Sequence, residues 1–335
     1  MDRLMKPTIY DIAQKAGVSA ATVSNVVNSR GRVGEETRKK VVKVMDELHY
    51  RPNLAASVLK GKPARTIGFF VPDMLNPIYM EYVKYAEERA QACGFSIIMC
   101  STENDPQKER VQADILRQKN VDGFIITSKF QNEQLLQELE QEGFPSLCLA
   151  HERNEFQFDS VTGDDEQAGQ MAADYLVSLN HINVAMIAEK DSLSSPGRIT
   201  GFQKRFQELG KNAPPVFFAE ASIERAKKVA KEVIREKKPT ALFGGNDVIA
   251  VGIIQAAREL NLSIPAELSV IGLDNTFLCE IVSPQVTAIS MPVKKISYKG
   301  IDLLIDKMKS GRDVRKAAVY PPALVERVSA QKRKK

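Results

Sequence analysis

The chain has 335 residues, of which 43% are hydrophobic and 27% charged, a composition that suits a globular protein of two or three domains and excludes a largely disordered chain, a collagen or a disulfide-stapled mini-protein. No apolar run reaches membrane-spanning length, and the first residues carry neither the apolar core nor the cleavage site of a secretory signal, so a cytoplasmic protein with no membrane partner is expected. The net charge of +5 is uneven: residues 1–63 hold twelve Lys/Arg against six Asp/Glu, the last four residues are all basic, and the stretch between is acidic, which is a footprint for nucleic acid, although an uneven solvated surface gives the same sum.

The first element predicted is a short helix from Ile9 to Ala16, with Thr8 as N-cap and Asp11 three residues on as the capping-box partner. Ile9, Ile12, Ala13 and Ala16 give it one apolar face, and Gly17 supplies the turn. Ser19 caps a second helix, Ala20 to Val27, with Val23, Val26 and Val27 inward. A third runs from about Glu35 to Leu48, with Val41, Val42, Met45 and Leu48 inward. Two short helices across a Gly-containing turn, braced by a third, read as a helix-turn-helix unit, though a small bundle without DNA shows the same pattern. Its second helix would present Ala20, Ala21 and Asn25 to base edges, since Asn pairs with adenine and an Ala methyl meets a thymine methyl. Ser19, Thr22, Ser24 and Asn28 suit phosphate oxygens.

The string from Thr8 through Ala-Gly-Val-Ser-Ala-Ala-Thr-Val-Ser-Asn-Val-Val-Asn28, with Thr37-Arg38 and Tyr50-Arg-Pro-Asn53, resembles the LacI/GalR family of bacterial transcription regulators. The resemblance implies a double-stranded DNA operator and places Ala20, Ala21 and Asn25 at the base-reading positions. Asn25 stands where Arg is usual, so a half-site with adenine in place of guanine is expected. Thr8, Tyr10, Arg32 and Thr37 join the implied DNA-contacting set. Residues 53–62 resemble the family's hinge helix, which is too short to stand alone in water. There Asn53, Ala56, Leu59 and Lys60 are the implied contacts, Leu59 as a minor-groove wedge or else a linker residue packed on the body, and Ser57 replaces a common Arg.

From Arg65 onward, strand candidates (Ile67–Val71, Ser96–Cys100, Gly123–Thr127, Ser146–Leu149, Val184–Ala188, Val216–Ala219, Ala241–Phe243, Ser269–Leu273) alternate with amphipathic helical stretches. Regular alternation with short continuous strands predicts doubly wound parallel sheets, and about 270 residues is large for one such sheet, so two lobes are expected. Ligands in such folds bind beyond the carboxyl ends of strands. The loops there collect Asp, Asn, Arg and aromatic side chains, including Asp73 and Phe130, which suits a small polar ligand. No GxGxxG, GxxxxGK[ST] or GxSxG occurs and no nucleophile meets a base, so no enzyme is read here. Asp165 and Asp247, at helix starts, are open between capping and binding. Cys93, Cys100, Cys148 and Cys279 are scattered and the three histidines lie far apart, so neither a metal nor a cofactor is expected.

Pro72-Asp…Asn-Pro-Ile-Tyr79, Arg198-Ile-Thr-Gly-Phe202, Gly245-Asn-Asp247 and Ser269-Val-Ile-Gly-Leu-Asp-Asn275 resemble the same family's effector domain, which is related to periplasmic sugar-binding proteins. The resemblance implies an all-α helix-turn-helix head plus a two-lobed α/β effector domain. Ile78 and Tyr79 would line one lobe, and Arg198, Asn246 and Asp274 the other, with Arg198 suited to hold a carboxylate, phosphate or ring hydroxyl in its fork. The usual Val-Asp-Arg near position 150 reads Ala150-His151-Glu152-Arg153, and Met291 replaces a usual Gln. His151 is then either a ligand contact or a surface-loop histidine. The effector class expected is a sugar, sugar acid or sugar phosphate, with a protein corepressor as the other option. Helix Ile78–Ala92 carries Met80, Val83, Ala86 and Ala90 either for subunit pairing or for the chain's own core. No heptad extension follows Val328, so a homodimer is expected. The domains read as 1–52, a hinge at 53–63, an effector and dimerisation domain at 64–330 with crossovers near 163–165 and 290–293, and a basic tail at 331–335. The function read from these parts is a transcription repressor controlled by a small effector, with the effector's identity and the sign of its action left open.

Overall fold

The computed structural model describes residues 7–27, 31–50, 63–127, 129–312 and 314–333. The chain forms two compact units, one ending at Ala64 and one beginning at Arg65.

In the first unit, α1 (Ile9–Ala16) starts at a capping box. The Asp11 N–H donates to the Thr8 hydroxyl at 3.4 Å, and the Thr8 N–H donates to the Asp11 carboxylate at 2.7 Å. The short Asp side chain therefore closes the box as Glu would. Gly17, at φ +63, takes the left-handed turn that a Cβ would strain. The Thr22 N–H donates to Ser19 Oγ at 3.1 Å and caps α2 (Ala20–Val27). With α3 (Glu35–Glu47), these helices close over Ile12, Ala16, Val23, Val26, Val41 and Val44. The third helix is rotated from the expected face: Val44 points in, whereas Val42 is 44% exposed. Val41 and Val44 are three apart and share a stripe that Val42, about 100° away, cannot.

The second unit holds two six-stranded sheets. Strands β1 (Thr66–Val71), β2 (Ser96–Ser101), β3 (Gly123–Ile126), β4 (Ser146–Leu149) and β5 (Asp159–Gly163) belong to the first. Strands β6 (Val184–Glu189), β7 (Val216–Ala219), β8 (Ala241–Gly244), β9 (Ser269–Asp274) and β10 (Thr287–Ser290) belong to the second. The chain then returns to the first sheet with β11 (Ala317–Tyr320) and ends in the second with β12 (Ala323–Val325). The orders are β11-β5-β4-β3-β1-β2 and β12-β10-β9-β8-β6-β7, parallel throughout except for β12, which pairs antiparallel with β10. Three strands of chain thus pass between the lobes, at 164, 291–292 and 321–322, the last of them not foreseen.

Parallel strands covered on both faces must be apolar on both, and β1 is. Its Phe69 sits between Met99 of β2 and Ile125 of β3, while Phe70 on the opposite face meets Phe124 edge-on at 5.0 Å between ring centres. The helix Pro77–Ala92 buries Ile78, Tyr82, Ala86 and Ala90 within its own chain, four residues apart along one stripe. Met80 and Val83 are only partly buried, so the inward face is displaced from the expected one. That stripe lies against Val293–Ser310, where Ser297 Oγ donates to the Tyr82 carbonyl at 3.2 Å and Arg89 Nε donates to Asp302 at 2.8 Å. No helix among the described residues is long and apolar enough to cross a membrane.

Candidate functional site

A cavity of about 450 Å³ opens between the two sheets of the second unit, within the range of small-ligand pockets. Its walls are the segments that follow β1 to β7, β9 and β10, all at strand carboxyl ends. Strand polarity dictates this: parallel strands leave their loops at one edge, and two such edges facing each other make a cleft.

Arg198, on the helix Ser195–Glu208, is the centre of the second lobe's wall. Its Nε donates to Asp165 at 2.8 Å, its Nη1 to the Gly245 carbonyl at 2.6 Å and its Nη2 to Asp274 at 3.5 Å. Asp274 ends β9 in the left-handed region at φ +82, a conformation Asp tolerates better than most residues. Glu189 ends β6 and accepts from Asn246 Nδ2 at 2.9 Å. Burial pushes the carboxyls of Asp165, Glu189 and Asp274 upward, Asp274 to about 8, and the Arg198 guanidinium only partly offsets it. Burial also opposes the charge on Arg198, but Asp165 and Asp274 outweigh it and hold the guanidinium firmly ionised. Burial likewise raises the phenol of Tyr79 far above its ordinary value.

On the first lobe's side, His151 is 6% exposed and lines the cleft. Its Nδ1 lies 3.1 Å from the Leu149 carbonyl. A carbonyl only accepts, so Nδ1 carries the hydrogen and Nε2 the lone pair. Burial lowers this imidazole to about 4 and keeps it neutral. Nε2 is buried and has no hydrogen-bond partner.

Of the residues picked from sequence for the effector, Asp73, Ile78, Tyr79, His151, Arg198, Asp274 and Met291 line the cleft. Phe130 does not: it is buried in the first lobe's core, 5.1 Å from Phe70 between ring centres. Asn246 stands behind the wall, where its Oδ1 accepts from Ile249 N–H at 2.8 Å to cap the helix Asp247–Glu259 while its amide orients Glu189. Asp164 and Asn246 are the helix caps, one residue before the two aspartates considered for that task. Asp165 is therefore free to pair with Arg198, and Asp247, fully buried, accepts from the Thr276 N–H and hydroxyl. Glu189 joins the cleft without having stood out in the sequence, and its place at the end of β6 is the signal that marks it. The Arg198 fork is already engaged by Gly245 and Asp274, which orient it at the cleft wall.

In the first unit, Ala21, Asn25, Arg32 and Ser19 are exposed, as is Tyr10 at 73%. Ala20, Thr22, Ser24 and Thr37 are half-buried, Ala20 against the helical core. The Ser19 and Thr22 hydroxyls bond to each other at 2.9 Å. Asn28, Asn53, Ala56, Ser57, Leu59 and Lys60 lie outside the described residues.

Residues 8–53 match the family described as bacterial regulatory proteins, lacI family, and residues 173–330 match a periplasmic binding protein-like domain. The chain is 38% identical over 331 residues to the HTH-type transcriptional regulator DegA of Bacillus subtilis (strain 168), covering 97% of this chain and 98% of that one. It superposes on the lac repressor dimer bound to operator and the anti-inducer ONPF with a TM-score of 0.86 at 26% identity, over 97% of this chain and 99% of that one. A LacI family transcriptional regulator from Enterococcus faecium with bound ribose matches with a TM-score of 0.73 at 26% identity, over 80% and 100% of the two chains.

Proposed function

Because this chain belongs to the LacI family of bacterial regulatory proteins, we propose that it is a cytoplasmic transcription repressor that binds a near-palindromic operator as a homodimer and takes a small polar effector in its cleft. Residues 1–52 read DNA, 53–63 act as the hinge, and 64–330 bind the effector and pair the subunits. Ala21 and Asn25 reach base edges, Tyr10, Ser19 and Arg32 reach the backbone, and Leu59 of the hinge enters the minor groove. The observation that carries this reading is the pairing, in one chain, of a capped helix-turn-helix unit whose Ser19, Ala21 and Asn25 are exposed and a two-lobed cleft lined by strand ends.

Support for the dimer comes from the solved lac repressor dimer on its operator. Phe277 and Ile281, at the start and end of one helical turn, are 54% and 70% exposed, which suits a surface covered by a second subunit. Support for the effector comes from the ribose bound by the Enterococcus faecium regulator. Effector binding shifts operator affinity only through its different affinity for the two states of the dimer.

The test is a pull-down of genomic fragments with the full-length protein at physiological salt, followed by sequencing. Enrichment of one near-palindromic site is expected. Fragments recovered without any shared sequence, with and without a panel of small polar ligands, would refute a sequence-specific regulator.

A further inference from the structure

The floor of the cleft holds more acidic groups than basic ones. Three buried or largely buried carboxyls, Asp165, Glu189 and Asp274, share one guanidinium, that of Arg198. Around the whole cavity seven carboxyl side chains face three cationic ones. Three of the five N–H groups of Arg198 are already engaged, by Asp165, Gly245 and Asp274. An entering carboxylate or phosphate would therefore lose its water and meet like charge.

An independent observation comes from the opposite wall. His151 Nε2 is an acceptor, buried and unpaired, in a residue that lines the cleft. A buried acceptor left without a donor is costly, and it is relieved by a ligand that donates. Acceptors on both walls and an excess of acidic groups on one ask for the same guest, a cation whose arrival releases the proton that burial keeps on Asp274. Tyr79 and Tyr82 line the cavity as well, and a phenol ring near a cation is favourable. Among the described residues no group of three or more His, Cys, Asp or Glu side chains is placed to hold a metal ion, and an ammonium carried on an organic molecule answers the excess of carboxyls.

We propose that the effector is a hydroxylated organic amine, of the amino-sugar or amino-polyol class, whose ammonium is held by Glu189 and Asp274 and whose N–H or O–H donates to His151 Nε2. This rests on the effector reading above, and it turns away from the sugar acid or sugar phosphate that the sequence suggested.

The experiment is calorimetry on the full-length protein at pH 7.5 with amino sugars and amino polyols, each paired with its N-acetyl derivative, its uncharged parent sugar and the matching sugar acid and sugar phosphate. At least one amine should bind, with N-acetylation lowering its affinity tenfold or more and the acid and phosphate showing no heat. Glu189→Gln should erase most of the preference for amine over N-acetyl derivative. His151→Phe, which leaves the charge balance unchanged, should weaken amine and N-acetyl derivative together. Binding of the neutral, acidic or phosphorylated members as tightly as the amines, or no binding by any amine, overturns the assignment. Operator binding is scored on the same preparation, so a protein that still selects its DNA site but takes a neutral or anionic ligand refutes the ligand class and leaves the regulator standing.

Discussion

Asp274 concentrates the tension of the cleft in one residue. It is buried, it lies at φ +82, and Arg198 stands against three other carboxyls near it, those of Asp165, Glu189 and Asp247. Burial lifts it from an ordinary 3.8 to about 8, so the folded chain holds a proton that the unfolded chain gives up. The stability this contributes is complete below the ordinary carboxylate range and is lost as pH rises through about 8. His151 works in the opposite direction, since its depressed value contributes stability above about 6.5 that is lost as pH falls through about 4. Between about 6.5 and 8 the Asp274 effect stands alone of the two, so the urea midpoint should fall with rising pH. Asp274→Asn keeps a residue that tolerates the left-handed backbone and should flatten that slope, and an unchanged slope in the variant would assign it to another group. Arg198→Met removes the one cation among these carboxyls and should cost about 3–5 kcal/mol in the same urea titration.

At the scale of elements, the cleft depends on how closely two helices meet. Asp165–Ser178 and Ser195–Glu208 carry Asp165 and Arg198 and pack backbone to backbone through two glycines. A Cβ on Gly201 would lie 1.9 Å from the Glu166 carbonyl oxygen, and one on Gly169 would lie 2.1 Å from that of Arg198. Neither neighbour is a flexible side-chain end, so the helices must separate. Gly201→Ala should lower stability by about 1–3 kcal/mol and weaken effector binding with it, because the separation draws Arg198 from Asp165. Thermal melting and calorimetry on one preparation read both effects, and a stability loss with unchanged effector affinity would disconnect the contact from the site. This dependence on distant partners also explains what sequence could reach. Continuous apolar runs revealed β1, β3, β4 and β9, because a strand buried on both faces needs nothing else. Strand β5 is not legible in the sequence because it opens on Asp159, whose full burial depends on Arg312 and the Lys316 N–H, far along the chain, which donate to it at 3.0 and 2.8 Å. The helix Val293–Ser310 escaped for a similar reason. Ser297 and Gly300 interrupt its apolar stripe, yet both face inward, one bonded to the Tyr82 carbonyl and the other closely approached by Leu149. Strand ends located the cleft and its Asp and Arg residues, but the partners of the Arg198 fork and the open lone pair of His151 are products of tertiary packing.

For the molecule as a whole, the proposed function has two copies of one recognition surface meet one piece of DNA. Two-fold symmetry then makes every base contact occur twice, once in each half-site. Asn25 is exposed on the outer face of α2, beside Ala21, in a helix whose first turn is capped by Ser19. An Asn amide offers one acceptor and two donors side by side, which matches N6 and N7 of adenine; the Arg that the family resemblance leads one to expect there would match O6 and N7 of guanine. Asn25→Ala should therefore cost about 1–3 kcal/mol in each half-site and relax the preference at one symmetric pair of positions. Tyr10→Phe removes only a hydroxyl suited to the backbone, and it should weaken all sequences nearly equally without changing which is preferred. Selection of bound sequences from a random pool, run on the native chain and both variants at one salt concentration, separates these effects. Adenine should dominate at the position that Asn25→Ala relaxes. Guanine there, or a preference that survives the substitution, would remove Asn25 from base reading and shift the choice of site to the hinge or to the shape of the DNA.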